Sequence, residues 1–301
     1  MGSRGEAGQR TAGRRWRGLR ALQSGPTAGL GLLLLPVLIY FLALYAYPLI
    51  GMLQRSFRDP ATASLTLQYY EKLLNTPAVL RVFAGTFRLA TTVTLVALVL
   101  GYPVAYLLSK LPRRTAGLLM ILVLLPFWTS ILVRSYSWMV ILGRAGIVNS
   151  ILQGLGIVSE PLKLMYNSFG VHIGMVHILL PFMILALYSV MQAIDRDLVK
   201  SAQSLGATPL QAFLRIFLPL SLPGIGSGCL LVFIQALGFY ITPALLGGTS
   251  DRTISMAIDL YVNTVINWEF GAAIALVLFV VTFALFLIYN RILGLDRLFG
   301  G

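Results

Sequence analysis

Along the chain, long uncharged apolar runs alternate with short polar stretches that hold most of the charge. A helix needs about 20 mostly apolar residues to cross the hydrocarbon core of a bilayer, and six runs meet that length. They extend from about Ala28 to Gln54, from Leu89 to Leu108, and from near Gly117 through LLMILVLLPFWTSILV, with Arg134 near the far end. The remaining three lie between Lys163 and Asp195, between Arg215 and Asp251, and from about Phe270 to Asn290. The fifth run exceeds what a span requires, so its tail is expected to leave the helix. Pro36, Pro103, Pro126, Pro181 and Pro243 interrupt the runs; such breaks are tolerated where neighbouring helices satisfy the freed backbone groups. The pattern predicts an all-α polytopic membrane protein with six transmembrane helices.

The stretch between the fourth and fifth runs, DRDLVKSAQSLGATPLQAFLRIFLPLSLPGI (Asp195 to Ile225), is more elaborate than a connector. About 2–8 residues suffice to join bundled helices. Asp195 is placed to cap a helix whose apolar positions Leu198, Ala202 and Leu205 recur at helical spacing. Gly206 follows the last of them, where a left-handed C-terminal cap favours glycine. Thr208, Pro209 and Gln211 then occupy the N-cap, first and third positions of a second helix, the pattern of a capping box. The reading is a helix over Asp197–Leu205, a sharp glycine turn, and a second helix from Thr208 to Phe213 running into span five, with Pro219 and Pro223 bending the chain beyond it. The first helix is amphipathic. It suits docking into a groove on another protein or resting on the lipid interface, and periodicity does not choose between them.

Composition supports the membrane reading. Hydrophobic residues make up 57% and charged residues 11% of the 301 positions, against about 25% charged in a soluble domain. The net charge of +13 does not mark a nucleic-acid binder, because no aromatic-basic module accompanies it. Of the 23 Lys and Arg, 14 fall in the N-terminal tail, the loops after spans two and four, and the C-terminus. The positive-inside rule puts those segments, and both termini, in the cytoplasm. The start resembles a signal peptide, but no small-x-small site follows the apolar run, so cleavage is not expected. The organisation reads as a disordered basic tail over 1–27, a transmembrane domain over 28–292 with its core at about 85–290, and a short C-terminus over 293–301.

Gly206, nine residues, then Ile216-x-Leu218-Pro219 resembles the signature loop of inner-membrane permease subunits of binding-protein-dependent ABC importers, Glu-Ala-Ala, three residues, Gly, nine residues, Ile-x-Leu-Pro. Ala202 matches, whereas Lys200 and Ser201 stand where Glu and the first Ala are usual. GYPVAYLLSKLP, LLPFWTSILVRSYSWMVILG and ILLPFMILALYSVM resemble the B-type spermidine/putrescine permeases, and FIQALGFYITPALLGG and NWEFGAA the wider polyamine group. The likeness covers about Leu30 to Asn290. It implies a type I importer fold, a C-type second permease subunit, a cytosolic ABC ATPase dimer, a periplasmic solute-binding protein, and no cofactor. It also implies that Lys200, Ser201, Ala202, Leu205, Gly206, Ala207, Pro209, Ile216, Leu218 and Pro219 form the loop that couples to the ATPase. Related permeases carry phosphonates, ferric iron, sulfate or thiamine.

The chain contains no Gly-Lys dipeptide and hence no P-loop, so ATP hydrolysis is expected in a partner. No catalytic constellation and no metal-ligand spacing is visible. His172 and His177 are five residues apart, about 140° around a helix, which suits helix–helix hydrogen bonds better than a metal site. The lone cysteine, Cys229, reads as a small packing residue. Arg134, Tyr136 and Trp138 read as an interfacial belt with a snorkelling arginine. Asp259, Glu269 and Asp251, with aromatics such as Tyr240, suit a cationic solute. Trp128, Tyr136, Trp138, Tyr240, Asp259 and Glu269 are the candidate pathway residues. A self-sufficient secondary transporter would call for inverted repeats or paired intramembrane charges, and neither is seen.

Overall fold

The computed structural model describes residues 27–60, 62 and 64–293, all helical apart from turns, short linkers and one isolated bridge pairing Arg58 with Leu65. The readings of a basic tail and a C-terminal extension rest largely on residues 1–26 and 294–301, outside those described. Two compact units divide at residue 55. The first holds α1 (Thr27–Phe41), a π turn at Leu42–Ala46 and α2 (Tyr47–Arg55). The second holds α3 (Gln68–Leu74), α4 (Pro77–Lys110), α5 (Arg113–Leu124), α6 (Ile131–Leu142), α7 (Ile147–Gly154) and α8 (Ser168–Met191). It continues with α9 (Arg196–Ser204), α10 (Pro209–Ala212), α11 (Leu218–Leu237), α12 (Ile241–Leu246), α13 (Ile254–Asp259) and α14 (Trp268–Leu293). Among the described residues, six helical segments are long and apolar enough to cross a membrane: Leu34–Arg55, Pro77–Lys110, Ile131–Gly154, Ser168–Met191, Pro209–Leu237 and Trp268–Arg291.

α4, α8 and α11 pack together around Ala90, Val93, Ala97, Met175, Leu179, Met183, Leu187, Val232 and Ala236, all buried. Lipid is as apolar as these side chains, so close packing rather than the hydrophobic effect holds such helices together. Small residues permit it. A Cβ added at Gly101 of α4 would stand 3.1 Å from Met183 Cγ, and one at Gly228 of α11 would stand 2.8 Å from Met183 Sδ. Met183 thus fills the gap that two glycines leave, a use suited to its unbranched, polarisable side chain. A smaller cluster joins Tyr69 and Leu73 of α3 to Val79, Ile254, Phe270 and Ile274, with Tyr261 edge-on to Phe270 at 4.6 Å between ring centres.

Several expectations change. The second span begins at Pro77 rather than Leu89, because Arg81 and Arg88 continue the helix as exposed residues. The third is not continuous. Pro126 sits in a 3-10 turn, Leu125–Trp128, and Ser130 starts a new helix by accepting a hydrogen bond from Leu132 N at 3.2 Å. The fifth run does leave the helix after Leu237, and Pro243 lies in the separate short α12 rather than within a span. Pro219 and Pro223, expected to bend the chain, stand within continuous helix. Residues Pro209–Leu237 run on through a π turn at Phe213–Phe217, and both prolines lie in the first turns of α11.

Candidate functional site

The loop after α8 folds as its residues dictate. Asp195 Oδ1 accepts from Asp197 N at 2.9 Å and caps α9 as expected, the helix beginning at Arg196 rather than Asp197. At the other end Gly206 N donates to Gln203 O at 3.0 Å and Ala207 N to Ala202 O at 3.0 Å. This is a Schellman motif, and Gly206 takes φ +95°, a region open to glycine. Thr208 N then donates to Gln211 Oε1 at 2.9 Å, Gln211 N donates to Thr208 Oγ1 at 3.3 Å, and Pro209 opens α10. Two capped helices therefore meet at one glycine. Leu198, Leu205, Leu210 and Leu214 are exposed along them, Leu205 at 89%. Ser201 and Pro219 are also exposed, while Ala202, Ala207, Ile216 and Leu218 are half-buried. Lys200 Nζ meets Asp197 Oδ1 at 2.9 Å on the open surface. That hydrogen bond, and then the lysine charge, hold the Asp197 carboxyl below the usual carboxylate range.

Both arms of the loop touch the end of α4. Arg196 Nη2 donates to Ser109 O at 2.6 Å. Tyr106 lies edge-on to Phe213 and Phe217 at 5.3 and 4.9 Å, and Lys110 Nζ sits 4.2 Å from the centre of the Tyr106 ring. A cavity of about 330 Å³ remains between α9, Tyr106, Lys110, Phe213 and Phe217. Sequence reasoning missed these partners. The only available signal was an aromatic at helical spacing near the end of a span.

Of the candidate pathway residues, the structure brings together Tyr240 and Asp259. Tyr240 Oη donates to Asp259 Oδ2 at 3.1 Å, and Asn263 Nδ2 donates to Asp259 Oδ1 at 2.7 Å. The hydrogen bond to the carboxylate, with smaller effects of burial and charge, raises the Tyr240 phenol above its ordinary value. Both residues line a cavity of about 350 Å³ with Val79, Val82, Met256 and Arg252. Arg252 adds a cation that the acidic reading of this region did not include. Glu269 stands in the first turn of α14, where a carboxylate complements the helix dipole, and does not line that cavity. Trp128 is exposed on the 3-10 turn. Tyr136 borders a different cavity with Arg144 and Met165. Trp138 is edge-on to His177 at 5.5 Å.

Arg134 does not snorkel. It is 8% exposed, and its Nε and Nη1 are buried with no hydrogen-bond partner among the described residues. Beside it Ser135 and Thr242 share a buried hydrogen bond of 3.0 Å that joins α6 to α12. His172 makes the expected helix–helix bond, Nε2 to Thr92 Oγ1 at 2.6 Å. Cys229 is half-buried against the main core.

A family model described as binding-protein-dependent transport system inner membrane component matches residues 74–294. The spermidine/putrescine transport system permease protein PotB of Escherichia coli (strain K12) is 40% identical over 226 residues, 75% of this chain and 82% of that protein. The inner membrane ABC transporter permease protein YdcU of the same organism is 30% identical over 289 residues, 89% of this chain and 91% of that one. A bacterial alginate ABC transporter, solved in complex with an alginate pentasaccharide-bound periplasmic protein, superposes with a TM-score of 0.71 at 21% identity, over 87% of this chain and 92% of that chain. That likeness concerns the fold.

Proposed function

We infer the function from the family to which this chain belongs, the inner membrane components of binding-protein-dependent transport systems; it is a multi-pass permease subunit of an ABC importer. We propose that it forms, with a second C-type permease subunit, the pathway by which spermidine, putrescine or a similar polyamine crosses the inner membrane. Charge asymmetry supports cytoplasmic termini and a cytoplasmic α9–α10 loop. On that side a dimeric ATPase would dock on the exposed leucines and supply the hydrolysis, and a periplasmic binding protein would deliver the solute opposite.

The observation that carries this reading is the loop itself, two capped helices hinged at Gly206 with their apolar residues uncovered. An uncovered stripe on a rigid short helix fits a protein groove. For the substrate, the support is the polyamine transport named for the relatives and the Asp259 carboxylate beside Tyr240, chemistry suited to an amine cation.

The test is uptake of radiolabelled putrescine and spermidine in a strain lacking this subunit and redundant systems. Uptake should fall to background and return with the gene. Unchanged uptake would exclude polyamines while leaving the permease assignment in place.

A further inference from the structure

α4 is tied at both ends to the two regions just described. At 34 residues and 1.5 Å per residue it is about 50 Å long, longer than the ~30 Å hydrocarbon layer. Near its first turns Thr86 Oγ1 accepts from Ile254 N at 3.0 Å in a buried contact. Ile254 opens α13, the helix that ends in Asp259. Val79 and Val82 of α4 line the Asp259 cavity directly.

At its far end α4 is gripped by both arms of the hinged loop. The last carbonyls of a helix have no partner within it and carry the negative end of its dipole. Arg196 supplies a cation there, with Nη2 2.6 Å from Ser109 O and 3.5 Å from Leu111 O. A cavity of about 330 Å³ lies between α9 and Tyr106 and Lys110, while Val199 of α9 packs against the main core. Among the described residues, Arg196 in the first turn of α9 hydrogen-bonds that helix to the end of α4. The second arm holds α4 through the rings of Phe213 and Phe217 on Tyr106. Gly206 separates the two arms, so a rotation of α9 about that glycine would move Arg196 relative to Phe213.

We propose that Arg196 is a positioning residue that transmits movement of α9 to α4, and through Thr86 to the segment bearing Asp259. This rests on the ATPase-docking reading above. Thr86 and Ser109 are 23 positions apart in one helix, or about 35 Å. Between them, closer to Ser109, Gly101 lies tight against Met183 of α8. Pro103, two residues beyond Gly101, removes one rung of the ladder and gives α4 a place to bend.

The test uses the whole transporter, reconstituted with its second permease subunit, ATPase and binding protein. Arg196→Gln should retain the ATPase as the unaltered complex does. Stimulation of ATP hydrolysis by substrate-loaded binding protein should fall at least five-fold, because the message no longer passes along α4. Arg196→Lys keeps a charged donor and should restore at least half of the stimulation. In a Cys229→Ala background, ATP should change the labelling rate of Thr264→Cys in the parent and not in Arg196→Gln. Loss of the ATPase from Arg196→Gln would make the residue a docking contact and overturn the proposal. Retained ATPase with unchanged stimulation would also overturn it. Failure of the docking reading shows elsewhere, as normal association and stimulation in Gly206→Val.

Discussion

The amide of Ala207 donates to the carbonyl of Ala202 at 3.0 Å, across a turn in which Gly206 has φ +95°. A Cβ built on Gly206 meets no atom within 4 Å. The demand for glycine is therefore conformational rather than steric, and it separates two kinds of substitution that crowding would treat alike.

Gly206→Val should abolish import, by ten-fold or more, while the protein still inserts. A β-branched residue in this region carries strain of about 1–3 kcal/mol, and relieving it would change the angle between α9 and α10. Gly206→Asn should keep most activity, since asparagine enters the left-handed region readily. Co-purification of the ATPase and binding-protein-stimulated hydrolysis measure both. Equal loss in the two variants would show that the glycine is needed for closeness to a partner instead.

Asp259→Asn preserves the size of the side chain and can still bond Tyr240 and Asn263, but removes the charge. The apparent KM for a polyamine should rise about ten-fold, with membrane levels of the subunit unchanged. Tyr240→Phe removes one hydrogen bond of 3.1 Å and should cost less. Concentration-dependent uptake in whole cells checks both. An unchanged KM in Asp259→Asn would remove this carboxylate from the pathway.

Gly174→Val should destabilise the bundle. A Cβ there would stand 2.6 Å from both Leu246 Cδ1 and Thr242 Cγ2, and Thr242 is β-branched and stiff. Overpacking of this kind costs about 1–3 kcal/mol. It would also push α12 from α8 and strain the Ser135–Thr242 bond of 3.0 Å. A lower melting temperature in detergent, restored in part by Thr242→Ser, is the expected result.

What the sequence revealed of this molecule divides along the range of the forces involved. The caps of α9 and α10 were legible because Asp195, Gly206, Thr208 and Gln211 act on backbone groups within five residues of themselves. The spans were legible from lipid's demand for apolar length. Arg196 on Ser109 was not, since the two lie 87 positions apart and an arginine beside a span reads equally well as a topology signal. The pairing of Tyr240 with Asp259 was half visible. Their chemistry suggested a common site, but α12 and α13 had first to fold the chain back on itself. The break at Pro126 was expected as a kink and became a change of helix, because Ser130 offers a cap just beyond it.

Arg134 is where local reasoning failed, and it yields the last prediction. A charge in a span is expected to reach for the interface, yet Arg134 lies buried beside the Ser135–Thr242 contact, with Nε and Nη1 unpartnered among the described residues. Leaving a buried donor unsatisfied costs about 1–3 kcal/mol, more when charged. Replacing a buried charge by an apolar group of similar volume is often neutral or stabilising. Arg134→Met keeps an unbranched stem of comparable reach and discards the guanidinium. The isolated subunit in detergent should therefore melt several degrees higher, and Arg134→Ala, which leaves a cavity, should not share the gain. The assembled transporter is the informative contrast. If its melting temperature also rises, the guanidinium has no acceptor in the complex either, and its cost is carried throughout the transport cycle. If the complex melts lower while the isolated subunit melts higher, the acceptor arrives with assembly. A lower melting temperature for the isolated Arg134→Met subunit would contradict the reading that this buried charge is uncompensated within the chain.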